Sequence, residues 1–83
     1  MYNDDGGYNM NRLKDLREDK DLKQVEIAKI LGISQRGYSH YETGDNNIPT
    51  NILIKLADFY NTSIDYILGI TNIKKPYEKN KNL

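Results

Sequence analysis

Apolar residues recur along this chain at helical spacing, in short clusters separated by polar or glycine-containing breaks. Leu13 and Leu16 form the first cluster, set among Arg12, Lys14, Asp15, Arg17 and Glu18. They predict a helix capped by Asn11 that fades around Asp19–Asp21. Ile27, Ala28, Ile30 and Leu31 mark the apolar face of a second helix, which begins after Leu22 or Lys23 and ends at Gly32. Glycine suits that end because it adopts the left-handed conformation without a Cβ clash. Ile33 is expected to tuck under the turn. Ser34 is a favourable N-cap for a third helix, Gln35 to about Thr43, with Tyr38 and Tyr41 on its apolar side. Gly37 inside that helix costs about 1 kcal/mol relative to alanine. Either the cost is tolerated or a backbone approaches closely there.

The run GDNNIP (44–49) reads as a loop. Thr50 is expected to cap a fourth helix through Tyr60, with Ile52, Leu53, Leu56, Ala57 and Tyr60 on one side. After a turn at Asn61-Thr62, Ser63 caps a short fifth helix carrying Ile64, Ile67 and Leu68 and closing at Gly69. Tyr38, Tyr41, Tyr60 and Tyr66 follow the apolar faces and read as core aromatics with hydroxyls at the edge. The predicted fold is all-α, a compact five-helix bundle occupying residues 10–69. A polar leader (1–9) precedes it and a lysine-rich flexible tail (70–83) follows. Met10 is a candidate second start.

Charge sharpens this picture. The 83 residues carry 12 basic and 12 acidic side chains, for a net charge of zero. Residues 1–8 hold Asp4 and Asp5 (−2), residues 9–69 hold 8 bases and 9 acids (−1), and residues 70–83 set four lysines (Lys74, Lys75, Lys79, Lys81) against Glu78 (+3). Any attraction to nucleic acid must therefore come from a local patch, not from a global field. There is no cysteine and only one histidine, which leaves no metal-ligand spacing, no thiol nucleophile and no disulfide framework. No glycine-rich phosphate loop is present, so neither an enzyme nor a cofactor is expected. No apolar run approaches the ~20 residues of a membrane span. The N-terminal MYNDDGGYN is not a signal peptide, and a cytoplasmic setting is the default.

The chemistry concentrates in Gln24–Glu42, where two short helices are joined by a tight turn. On the third helix, Gln35, Arg36, Ser39, His40 and Thr43 share one side, away from Tyr38, Tyr41 and Glu42. Glutamine can pair bidentately with adenine and arginine with guanine. A short helix pinned by one face and offering such groups on the other is the physical basis of helix-turn-helix DNA reading.

The spacing Gln24-x3-Ala28-x3-Gly32-x2-Gln35-x3-Ser39-x2-Glu42-x-Gly44, followed by Pro49, Leu56-Ala57 and Ser63-x-Asp65-Tyr66-x-Leu68-Gly69, resembles the DNA-binding domain of the phage repressor and Cro family, the xenobiotic-response-element-like regulators of bacteria. The resemblance covers roughly residues 11–69. It implies a lambda-repressor-like domain acting in transcription regulation as a repressor. Gln35, Arg36, Ser39 and His40 would then face base edges. Lys23, Gln24, Thr43, Asn46 and Asn47 would meet phosphates, Gln24 from a helix N-terminus. Arg17 and Glu42 would form a structural ion pair between the first and third helices. The implied partner is double-stranded DNA, a palindromic operator bound as a homodimer, with no small-molecule ligand. Asp45, Asn46 and Asn47 stand where many relatives carry lysine or arginine, which predicts a shallow salt dependence. The alternative on the same fold is an antitoxin-like or adaptor module that binds protein.

Overall fold

A computed structural model of the chain describes residues 11–78. The leader expected over residues 1–9, Met10, and Lys79 and Lys81 of the tail lie outside the described residues. Five helices follow one another: α1 (Leu13–Asp19), α2 (Gln24–Leu31), α3 (Gln35–Thr43), α4 (Thr50–Tyr60) and α5 (Ile64–Ile67). No strand occurs among the described residues. The all-α five-helix fold expected from the periodicity is the observed one.

One core unites the helices. Leu13 and Leu16 of α1, Ile27, Ala28 and Leu31 of α2, Tyr38 of α3, Ile52, Leu56 and Tyr60 of α4, and Ile67 of α5 are buried together. Full burial of a side chain such as Leu56 or Ile67 stabilises the fold by about 1.5–3 kcal/mol. Ile33 packs against this cluster from the turn below α2, as expected. Gly32 has φ +74°, and no atom lies within 4 Å of where its Cβ would be. Its conformation, not lack of space, therefore requires glycine there.

Several local expectations need correction. Ile30 is 51% exposed, because Ile27, Ala28 and Leu31 define the inward face of α2 and position 30 falls on its flank. The α1 cap position belongs to Arg12, one residue later than predicted. Asn11 still serves it: its Oδ1 accepts the Leu13 N–H at 3.1 Å, while its Nδ2 donates to the Tyr41 carbonyl of α3 at 2.8 Å. Pro49, extended at ψ 149°, holds the cap position of α4, and Thr50 is its first helical residue. Proline fixes φ near the value a helix entry needs, so no side-chain cap is required to set the start. Tyr41 and Tyr66 pack partly exposed against the core, but Tyr38 and Tyr60 do not keep their hydroxyls at its edge. Tyr38 is fully buried, and the Tyr60 hydroxyl is buried without a hydrogen-bond partner among the described residues. At Gly37 the close neighbour is no backbone but the Ser34 hydroxyl, 3.1 Å from where a Cβ would stand.

Past Gly69 the chain doubles back over the body. Arg12 gathers this strap: its Nη1 donates to the carbonyls of Tyr66 (2.5 Å) and Thr71 (2.8 Å), and its Nη2 to Asn72 Oδ1 (2.5 Å). Its guanidinium also stacks 4.1 Å from the Tyr66 ring centroid. The Thr62 hydroxyl donates to the Lys74 carbonyl, and the Tyr77 hydroxyl to Asp65 Oδ2, each at 2.5 Å. Residues 70–78, within the tail that composition marks as flexible, make these contacts through the backbone carbonyls of Thr71 and Lys74 and the side chains of Asn72 and Tyr77.

Candidate nucleic-acid interface

The site is built on the α2–turn–α3 unit. Glu26 Oε1 accepts the Lys23 N–H at 2.7 Å, which fixes the entry to α2. Ser34 Oγ accepts the Gly37 N–H at 3.0 Å and fixes the entry to α3. With Tyr38 inside the core, α3 turns Gln35 and Arg36 fully outward, and Ser39 and His40 partly so. Gln24, at the first position of α2, joins them. These five residues line one shallow open cleft of about 430 Å³. The structure therefore brings the four residues expected to face bases together with one residue expected to face a phosphate.

The other expected phosphate contacts lie outside that cleft. Lys23 is exposed at the cap of α2, beside Gln24. Thr43, Asn46 and Asn47 are exposed around the end of α3. The Thr43 hydroxyl donates to the His40 carbonyl at 3.2 Å and accepts from the Asp45 N–H at 3.4 Å. The Asn46 N–H donates to the same carbonyl at 3.2 Å. This knot sets the path of the loop. It also carries Asp45 back to His40, whose Nδ1 lies 3.4 Å from Asp45 Oδ2. An acidic group thus stands at one end of the outer side of α3.

Behind α3 lies the pair of Arg17 and Glu42. Arg17 Nε reaches Glu42 Oε2 at 2.6 Å and Nη2 reaches Oε1 at 3.2 Å, a bidentate fork. Arg17 Nη1 donates to the Leu22 carbonyl at 2.9 Å, which ties the pair to the segment before α2. Two further donors converge on the same carboxylate: the Tyr38 hydroxyl at 2.6 Å on Oε2, and Gln24 Nε2 at 3.0 Å on Oε1. Burial opposes ionisation of Glu42, but the hydrogen bonds from Arg17, Tyr38 and Gln24 outweigh it and hold the carboxyl below the ordinary glutamate range. The same hydrogen bond from its side raises Arg17. Burial, reinforced by the neighbouring carboxylate, pushes the Tyr38 phenol well up.

The link from Gln24 to Glu42 was not visible in the sequence. The two residues are eighteen positions apart on different helices, and no local periodicity relates them. The Arg17–Glu42 pairing, twenty-five positions apart, likewise follows from the family resemblance and not from local periodicity. The described residues include no group of three or more His, Asp or Glu placed to hold a metal ion, and no helix long and apolar enough to cross a membrane.

Comparison with known proteins agrees with this geometry. Residues 13–67 match the helix-turn-helix family. The chain is 38% identical over 72 residues to YobD of Bacillus subtilis (strain 168), described as an uncharacterized HTH-type transcriptional regulator; the match covers 87% of this chain and 64% of YobD. It is 35% identical over 66 residues to the antitoxin PezA of Streptococcus pneumoniae, covering 80% of this chain and 42% of PezA. It is 35% identical over 54 residues to RstR of Vibrio cholerae, a transcriptional repressor of the cryptic phage CTXphi, covering 65% of this chain and 49% of RstR. The chain thus spans between about two fifths and two thirds of these relatives' lengths.

Proposed function

Because the chain belongs to the Cro/C1-type helix-turn-helix family, we propose that it is a sequence-specific double-stranded DNA-binding transcriptional regulator of the repressor type. The observation that carries this reading is the cleft shared by Gln24, Gln35, Arg36, Ser39 and His40. α3 enters the major groove, with Gln35, Arg36, Ser39 and His40 at base edges. Lys23 and Gln24 at the start of α2, and Thr43, Asn46 and Asn47 after α3, meet phosphates. The DNA-binding unit is residues 10–69. A homodimer on a palindromic operator, with half-sites about one helical turn apart, fits this docking. α5 or the lysine-bearing tail supplies the contact between copies. The protein acts by binding and not as an enzyme, and a cytoplasmic setting belongs to the same reading.

Selection of bound sequences from a random duplex pool at two salt concentrations tests the proposal. An enriched palindrome with a fixed half-site spacing is the expected result. Absence of enrichment even at low salt overturns it.

A second reading is favoured by two observations: the likeness to an antitoxin and the zero net charge. On that reading the same fold is a protein-interaction module. Retention of a protein partner by a variant with Gln35, Arg36 and His40 all changed to alanine, together with no DNA selection, supports it.

A further inference from the structure

The buried carboxylate of Glu42 draws several donors from three elements. Oε2 accepts from Arg17 Nε and the Tyr38 hydroxyl, and Oε1 from Arg17 Nη2 and Gln24 Nε2. These are four donor bonds to one ionised carboxylate among the described residues. Three of the four bonds hold the carboxylate still: Arg17 is itself anchored to the Leu22 carbonyl, and Tyr38 is locked in the core. The fourth reaches out to Gln24, which is partly exposed and lines the cleft beside Gln35, Arg36, Ser39 and His40.

A glutamine carboxamide is nearly symmetric in shape, with a donor at one end and an acceptor at the other. An exposed glutamine can exchange the two ends by rotating its terminal bond. An ionised carboxylate accepts and never donates, so it selects the orientation in which the nitrogen faces it. One Gln24 N–H is then given to Glu42. The second N–H and Oε1 stay in fixed positions relative to α3.

We infer that Glu42 is a positioning residue for DNA binding, fixing which end of the Gln24 carboxamide is the donor at the cleft. The inference rests on the DNA-binding reading above. It gives the ion pair a second role besides joining α1 to α3. The charge on Glu42, without touching DNA, sets the hydrogen-bonding polarity of a side chain that does. When Glu42 is neutral but the same shape, the Gln24 carboxamide is free to flip, which exchanges the donor and acceptor ends it offers at the cleft.

A double-mutant cycle in DNA affinity tests this, measured by fluorescence anisotropy on the duplex that the wild-type protein selects, at one fixed salt concentration. Thermal unfolding by circular dichroism establishes that each variant is folded at the assay temperature. Glu42→Gln should weaken binding about fivefold in the wild-type background, as loss of one oriented hydrogen bond does, and by less than about twofold when Gln24 is already alanine. An equal loss in both backgrounds makes Glu42 merely structural and overturns the inference, as does unchanged binding. A second measurement needs no variant: the side-chain amide protons of Gln24 in the free wild-type protein, observed by NMR beside those of the exposed Gln35. One Gln24 proton shifted downfield and slow to exchange is expected, and Gln24 behaving like Gln35 overturns the inference. This arm decides the matter if Glu42→Gln does not fold. If the wild-type protein selects no duplex, the DNA-binding reading fails by itself, while the NMR result still reports whether Glu42 holds Gln24.

Discussion

The Tyr38 hydroxyl donates to Glu42 Oε2 at 2.6 Å, from one turn of α3 to the next. The ring of Tyr38 fills the core and its polar end meets the one carboxylate among the described residues that is buried. This contact reconciles two demands on α3. Its inner side must be apolar enough to pack, yet it must accept a guanidinium from α1. Glu42 meets the second demand only because Tyr38, Gln24 and Arg17 together replace the water it has lost.

Removing Arg17 should therefore be severe. Arg17→Ala takes the guanidinium from the buried Glu42 carboxylate, leaves it the neutral donors Tyr38 and Gln24 among the described residues, and should destabilise the domain by about 3 kcal/mol or more. Urea denaturation measures it. Arg17→Lys should recover part of the loss, because an ammonium keeps the charge but not the bidentate fork.

The pH dependence follows from the direction of the Glu42 shift. Its carboxyl in the folded chain lies below the ordinary range, so the unfolded chain binds its proton first as pH falls. The stabilisation is complete above the ordinary glutamate value. It is lost progressively as the pH drops from there through the folded value. Chemical denaturation at a series of acidic pH values should show a fall in stability that is shallower in Glu42→Gln.

Tyr60 offers the opposite case to Tyr38. Its hydroxyl is buried with no partner among the described residues, and burial pushes its phenol up to about 12. Tyr60→Phe deletes an unsatisfied group and should leave stability unchanged or raise it by up to about 1 kcal/mol. Tyr38→Phe removes a donor from a buried carboxylate and should cost about 1–3 kcal/mol. Thermal melts of the two variants side by side make the comparison.

Gly37 and Ser34 should be coupled. An alanine at 37 gains about 1 kcal/mol in helix propensity but places its Cβ 3.1 Å from the capping hydroxyl. Displacing that cap gives back about 1 kcal/mol, leaving Gly37→Ala close to neutral. In a Ser34→Ala background nothing is left to displace, and Gly37→Ala should stabilise by the full propensity difference. Denaturant midpoints of the four proteins test this.

Among the described residues, Arg36 is the one arginine or lysine lining the cleft. On the DNA-binding reading, Arg36→Ala should relax preference at one G·C position by about 1–3 kcal/mol. Lys23→Ala should instead weaken all duplexes alike and reduce the salt slope. Repeating the duplex selection with each variant distinguishes the two effects, and unchanged base preference in Arg36→Ala removes that residue from base reading.

Local patterns determined the five helices, because periodicity, serine caps and the left-handed turn at Gly32 act over a few residues and are written consecutively in the chain. They also separated the outer side of α3 from its inner side. Tertiary structure decided what lies between segments: the flank position that exposes Ile30, the strap gathered by Arg12, and a buried Tyr60 hydroxyl with no partner among the described residues. It likewise changed the meaning of Gln24. By sequence it is a polar residue at a helix start; in the fold its carboxamide is held by a charge eighteen residues away. Burial made that difference. Water would satisfy Glu42 in an isolated helix, and only exclusion of water by the assembled core obliges it to recruit Arg17, Tyr38 and Gln24.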